Sequence, residues 1–555
     1  MAVHLDLADI QGNILVAYGR QGFYKGRIML FHIDRAESGR KFVTELLPMI
    51  TTAQACPPGT MPGPKLSVTV NIAFTWYGLL ALEIPVRTLR GMPDEFIDGM
   101  IKRAAMLGDD FHKDWEKSWD EVWTKSGTAY GPNENTVHML ITLNAQMDSD
   151  TGKAVPALAS VTSQINNLAR NSGGVTLLTG HNPPGHGVTR EYQDLSLIIK
   201  RQEDGKYVPI PKEHFGFTDG IGDPVFHGQY SGEDERTKVQ GNGALERRGI
   251  DGKDKWRPLA TGEFLLGYPD EAQEIAGAAM PLDFSRNGTF MAYRKLHQNV
   301  AAFKTFLDRT AEQFAAVAGI ENVDHARETL MAKMAGRWSD GVPLARAPTW
   351  AEWNQFNIDH PTSDRKAREV ALSDFHSRYP KVERGEPDPR DDPDGIRCPL
   401  TAHMRRVNTR DMLGPSDGDG SVLTNRRRIL RRGLLYGNTS DDAPDTDEQG
   451  VLMLIVCASL FRQFEFVQQQ WINYGLDAGA GSDTCPIVGN HSDGAPGGKN
   501  GPKAKFVIPA DPASGHLPFV VEGIPQFVET RGGDYFFVPS MTALRMIGMG
   551  VVDPT

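Results

Sequence analysis

The order in which strand-like and helix-like stretches alternate restricts this chain more than any other feature. Segments rich in β-branched and aromatic residues occur at GRIMLFHI (26–33), LSVTVNIAFTWYGLLAL (66–82), TVHMLITLNA (136–145) and DLSLIIK (194–200). Between the first two lies RAESGRKFVTELLPMI (35–50), and between the last two SVTSQINNLARNSG (160–173); both carry apolar residues at mixed three and four spacing, and the second ends on a glycine stop. Strand, helix, strand, then strand, helix, strand predicts an α+β sandwich of ferredoxin-like type.

The pattern recurs further on, with strands expected at GEFLLGY (262–268) and GTFMAYRKL (288–296) and a helix from Asn299 to Ala318. Later come the apolar run from 451, a helix in SLFRQFEFVQQQWINYG, and DYFFVPSMTALRMI near the end. No exact sequence repeat accompanies this recurrence, so a duplicated fold rests on element order alone. The resulting division is an N-terminal ferredoxin-like domain over 1–205 and a second over 206–555. Three stretches rich in Pro, Gly and Asp, at 379–395, 438–450 and 489–503, are expected as surface loops.

A chain of 555 residues with 40% hydrophobic content can bury more than one core, and its net charge of -11 argues against nucleic-acid binding. The cysteines Cys56, Cys398, Cys457 and Cys485 form no CxxC pair, which fits a reducing compartment better than a disulfide framework. No secretory signal is evident at the start, and the longest apolar run is too short to cross a bilayer. A cytoplasmic protein with no membrane role is therefore expected. The Asp-rich DSDTG (148–152) and SDGDGS (416–421) lack the Glu of a calcium loop and read as surface turns.

The segment HFGFTDGIGDP (214–224) packs three glycines, two aspartates and a proline into one stretch. Asp219 there is either the Asp of an Asp-Gly turn or a carboxylate held for chemistry. In CPLTAHMRRVNTR (398–410), His403 sits in a cationic, helix-like stretch with Arg405, Arg406 and Arg410. An imidazole beside fixed guanidinium donors suits a metal cofactor with carboxylate side arms, and haem has both features. In RRRILRRGLLYGN (426–438), five arginines interleave with leucines, so on a strand at least one guanidinium must face the apolar interior and needs an acceptor there.

These residues resemble the dye-decolourising haem peroxidases, in the longer form without a signal peptide. The resemblance rests on the GxxDG pattern of Gly216 to Gly220, then on GEFLLGYPDE, NGTFMAYRKL, MAGRWSDGVPL, CPLTAHMRRVNTR, ILRRGLLYG, FRQFEFVQQQW and RGGDYFFVPS in the family's order. It implies two ferredoxin-like domains of the dimeric α/β-barrel type, with haem b in the C-terminal half. By the same resemblance His403 is the iron ligand, Asp219 the distal acid-base residue, Arg431 the distal arginine and Arg410 a propionate contact, with Gly220 and Ile221 bordering the macrocycle. The implied activity is hydrogen-peroxide-dependent oxidation of aromatic dyes and phenols through a ferryl intermediate; a haem carrier without turnover is the alternative. Glu465 is a candidate acceptor for the second ring nitrogen of His403, and Trp471 and Tyr474 are candidate electron relays. The assignment of Arg431 over Arg432 is left open by the long gap after His403, and so is the oligomeric state, a homo-oligomer included. Where relatives often carry Leu and Phe in the late strand, this chain has Val451 and Met453.

Overall fold

A computed structural model describes residues 4–60, 63, 66–110, 114–127, 131–184, 189–230, 232–247, 255–373, 392–410, 413, 422–491 and 504–551. Nine strands form one antiparallel sheet: β1 (Lys25–Ile33), β2 (Val68–Phe74), β3 (Met139–Ala145), β4 (Val175–Leu177), β5 (Gln193–Ser196), β6 (Thr289–Gln298), β7 (Leu430–Gly437), β8 (Gln449–Cys457) and β9 (Val528–Val538). Their order is β7-β8-β6-β9-β2-β3-β1-β4, with β5 continuing along the same strand β1 beyond β4.

Each half of that path follows one rule. In β2-β3-β1-β4 and in β7-β8-β6-β9, the first and third strands of the set lie inside and the second and fourth outside. Helices complete the units: α1 (Ala36–Leu46) follows β1 and α2 (Ala157–Ser172) follows β3, while α3 (Val300–Ala318) and α4 (Val323–Ala335) follow β6. Wide helical turns over Leu460–Glu465 and Val467–Ile472 follow β8. This is the ferredoxin-like order twice over. The halves meet where Phe537 of β9 pairs with Phe74 of β2, and the last helix, α5 (Met541–Met549), returns to pack on α1.

The barrel expectation needs correction. At the two ends of the sheet β5 lies alongside β7, yet among the described residues no ladder joins them. The fourth strand of the first unit is split into the short pieces β4 and β5, so the curled sheet keeps an open seam.

Two segments differ from their sequence reading. The strand expected over 66–82 ends at Phe74, because the Thr75 hydroxyl accepts from the Gly78 N–H at 3.0 Å and starts a helix, Trp76–Ala81. GEFLLGY is not a strand: Thr261–Glu263 is a single tight turn, held by the buried Glu263 carboxylate, which pairs with Arg462 at 2.7 Å and accepts from the Glu271 N–H at 3.0 Å. Phe264, Leu265 and Leu266 are buried all the same, and a short apolar run looks alike in either conformation.

All ten residues of β6 are buried, polar ones included, because the sheet is covered on both faces. Alternation then sorts them. Arg294, Leu296 and Gln298 face a large cavity, while Lys295 on the other face is neutralised by Asp120 at 2.7 Å and Glu448 at 3.0 Å. Among the described residues no helix is long and apolar enough to cross a membrane.

Candidate active site

The cavity, about 710 Å³, lies against β6, β7 and β8. That volume is in the range of sites for cofactors and drug-sized ligands. Across the floor, Arg431 stands opposite Ile455, and Gly433 opposite Met453. Only glycine suits position 433, where φ is 99° and a Cβ would lie 2.0 Å from the Leu452 carbonyl oxygen. Val451 and Met453 both line the cavity, so the two departures in the late strand do shape its wall.

One wall is the segment HFGFTDGIGDP. It is a loop tied to the half-buried carboxylate of Glu213 and, through His214 and the Tyr436 carbonyl at 3.0 Å, to β7. Glu213 accepts from the N–H groups of Phe215 at 3.0 Å and Phe217 at 2.9 Å, and from the Gln298 side chain of β6 at 2.6 Å. Burial pushes this carboxyl upward more strongly than those donors pull it down. Gly216 and Gly220 turn the chain with φ of 100° and 74°. Thr218 and Asp219 then anchor the turn through their N–H groups to the Ser339 and Pro211 carbonyls, each at 2.9 Å. Glu213→Ala is expected to cost about 1–3 kcal/mol by orphaning these donors, read as a lowered denaturant midpoint.

Asp219 makes two kinds of contact. Its Oδ1 accepts from the Gly220 N–H at 2.7 Å, which is the turn, and from the guanidinium of Arg431, which is the site. Burial alone would raise the Asp219 carboxyl; Arg431, the Gly220 N–H and the charge of Arg20 together outweigh it and hold it below the usual carboxylate range. Ile221 lines the same cavity, packed against Gly341.

The neighbouring arginine does something else. Arg432 is buried, donates to the carbonyls of Asn13 and Ile14 at 3.0 Å each, and pairs with Asp223 at 3.1 Å. It ties β7 to the N-terminal segment and occupies Asp223. The two adjacent guanidiniums therefore point to opposite sides of the strand, as alternation requires. Arg432→Ala is expected to lower stability by about 1–3 kcal/mol, measured by denaturant unfolding, since it leaves the carbonyls of Asn13 and Ile14 without their donor, while Asp223 keeps Arg20 at 3.7 Å.

On the other side of the cavity His403 opens a five-residue helix, His403–Val407. Its ring Nδ1 lies 3.2 Å from the Cys485 sulfur, and this is its hydrogen bond among the described residues. Glu465, expected to fill that role, is instead bound by Arg103 at 2.5 and 2.7 Å and by the Tyr535 hydroxyl at 2.7 Å. Burial would raise the Cys485 thiol, but His403, Arg406 and the Val488 N–H draw it down to about 7. Of the arginines near His403 only Arg410 reaches the cavity. Arg405, about half a turn from the histidine, is locked on Asp392 at 3.2 Å, and Arg406 donates to the Asp483 carbonyl at 2.5 Å.

Arg410 has φ 49°, an uncommon conformation for arginine, and its side chain lies near Arg428, a residue that the sequence patterns do not single out. Arg428 hydrogen-bonds to the carbonyls of Asn242 at 3.1 Å and Gly243 at 3.4 Å; burial, then the charge of Arg410, draws it down to about 9. Arg410 also donates to the Ser373 carbonyl at 3.3 Å, and two buried guanidiniums side by side at the rim of a cavity suit an anionic group. The donor set fits haem: an imidazole on one wall, cations for carboxylate arms at the rim, and an ionised carboxylate paired with arginine on the opposite wall. Of the expected relay residues, Tyr474 is exposed, whereas Trp471 is buried and donates to Asp477 at 3.0 Å.

Known proteins share the sequence and fold of this chain over most of its length. Residues 9–175 match a family model described as the DyP dimeric alpha+beta barrel domain. Peroxidase 2 of Mycetinis scorodonius is 27% identical over 98% of this chain and 88% of its own length. A dye-decolorizing peroxidase of Auricularia auricula-judae is 26% identical over 98% and 87%. Among solved structures, a fungal DyP-type peroxidase from Auricularia auricula-judae superposes with a TM-score of 0.69 at 22% identity, covering 99% of each chain. A dye-decolorizing peroxidase in complex with 2,6-dimethoxyphenol superposes with a TM-score of 0.67 at 25% identity, covering 98% of this chain and 100% of that one.

Proposed function

This chain belongs to the dye-decolourising peroxidase family and is a haem peroxidase, and from that premise we propose that it uses hydrogen peroxide to oxidise dyes and phenols with Asp219 and Arg431 as its catalytic pair. The carrying observation is the Asp219–Arg431 ion pair facing His403 across one cavity. Haem b is the proposed form, held by His403 at the metal and by Arg410 and Arg428 at the propionates, with Gly220 and Ile221 beside the ring. The haem supplies the two-electron reduction of peroxide and the oxidising equivalents that donors then remove.

The protein residues supply the proton traffic. An Asp219 carboxylate kept ionised by Arg431 takes a proton from one peroxide oxygen at Oδ and returns it to the other, which leaves as water. The Arg431 guanidinium donates hydrogen bonds to the oxygens on which negative charge develops. A compartment that keeps Cys56, Cys398, Cys457 and Cys485 as thiols belongs to the same proposal; all four are buried and free.

A pH dependence follows from the sign of the Asp219 shift. The working base is the ionised form, and its carboxyl titrates below the ordinary Asp value of 3.8. Activity is thus expected to persist at acidic pH and to fail only as pH drops through that depressed value. The stability contributed by the ion pair is fully present above the ordinary value and is lost over the same window. In Arg431→Ala burial is opposed only by the Gly220 N–H and the charge of Arg20, so the acid limb of the peroxide-activation profile is expected to move upward. The function itself is tested by mixing fully haem-loaded protein with peroxide and 2,6-dimethoxyphenol. Two donor equivalents should be oxidised per peroxide consumed; full loading with no peroxide consumption would favour a haem carrier.

A further inference from the structure

A sulfur atom stands where the histidine of this site needs an acceptor. A neutral imidazole that binds a metal through the Nε2 lone pair carries its proton on Nδ1, and that N–H must be given to a partner. Here Nδ1 of His403 faces the Cys485 sulfur at 3.2 Å, within hydrogen-bond reach for sulfur. Three features fix that sulfur in place. The Cys485 N–H donates to the Ile472 carbonyl at 2.7 Å, its carbonyl is bonded to His491 at 2.8 Å, and the same carbonyl accepts from the Gly489 N–H at 3.0 Å. Arg406, almost wholly buried and acting electrostatically on the sulfur, keeps Nε and one terminal nitrogen without a hydrogen-bond partner. The positive charge of Arg406 beside the sulfur suits an acceptor there. The carboxylate expected in this role, Glu465, is committed to Arg103 and Tyr535.

We propose that Cys485 is the positioning residue of the proximal side, accepting the Nδ1–H of His403 so that Nε2 points into the cavity. The inference rests on reading His403 as the axial ligand. A sulfur acceptor polarises the imidazole differently from a carboxylate, so exchanging the acceptor changes how strongly the ring donates to the metal. The experiment uses haem-loaded full-length protein and two readouts other than turnover: the iron–histidine stretch of the ferrous form by resonance Raman, and the ferric/ferrous midpoint potential. In Cys485→Ala the stretch should move to lower frequency and the potential upward, whereas Cys485→Asp should move both in the opposite directions. Cys485→Ser, which keeps a neutral acceptor of similar size, should stay near wild type, and Cys485→Asp decides the matter should the alanine variant fold poorly. Unchanged stretch and potential in all three variants would overturn the proposal. Failure of the underlying reading looks different: the iron–histidine band would then survive in His403→Ala.

Discussion

Replacing Asp219 with alanine is expected to slow peroxide activation by about 10²–10⁴-fold, the usual range for a positioned acid-base group, with haem loading unchanged. Loading should survive because Asp219 sits on the loop wall opposite His403 and bonds only its own turn and Arg431. Asp219→Asn separates position from proton transfer: the amide can still occupy the turn, but it cannot hold the proton. Stopped-flow mixing with peroxide under pseudo-first-order conditions gives the rate. An asparagine variant within a factor of about three of wild type, set against that range, would remove Asp219 from the role of base. Arg431→Ala should reduce the same rate by about 10²–10³-fold, as expected for the loss of a single donor to developing negative charge. Arg432→Ala should act instead on unfolding, since its bonds to Asn13, Ile14 and Asp223 tie the strand to the N-terminal segment, whereas Asp219 is held by Arg431.

His403→Ala is expected to have the second large effect, the loss of a histidine-ligated haem spectrum. The ring is the imidazole at the cavity wall, set there by a short helix whose Arg405 is anchored to Asp392 at 3.2 Å. Truncation leaves a hole of imidazole shape beside Cys485, so added imidazole should restore the axial spectrum in proportion to its concentration. Absorption titration with haem, with and without imidazole, reads this directly. A variant that binds haem with the wild-type spectrum and no imidazole would transfer the ligand to another residue.

Much of the fold was legible because its signals are local. Glycine at 173 closes α2 in a left-handed C-cap, and the β-branched run of β3 is strand in either reading. The exceptions have physical causes. GEFLLGY folds as a turn because Glu263 finds Arg462 far along the chain, and LSVTVNIAFTWYGLLAL changes conformation at Thr75 because a hydroxyl there caps a helix. The seam between β5 and β7 depends on how far the sheet curls, which no run of residues encodes.

The site divides in the same way. Asp219, Arg431, His403 and Arg410 stand in motifs whose residue types announce chemistry, and the cavity brings all four together. Strand alternation between Arg431 and Arg432 was implicit in the chain, but which of them faced the cavity depended on where the carbonyls of Asn13 and Ile14 came to rest. Glu213, Arg428 and Cys485 were missed for one reason: their importance comes from partners distant in sequence, namely Gln298, Asn242 and Gly243, and His403. The sequence by itself determined the element order, the GxxDG turn and the residue types that can hold a haem. Tertiary structure alone decided the partners of each charge, because hydrogen bonds and ion pairs act over a few ångströms of space and carry no record of separation along the chain.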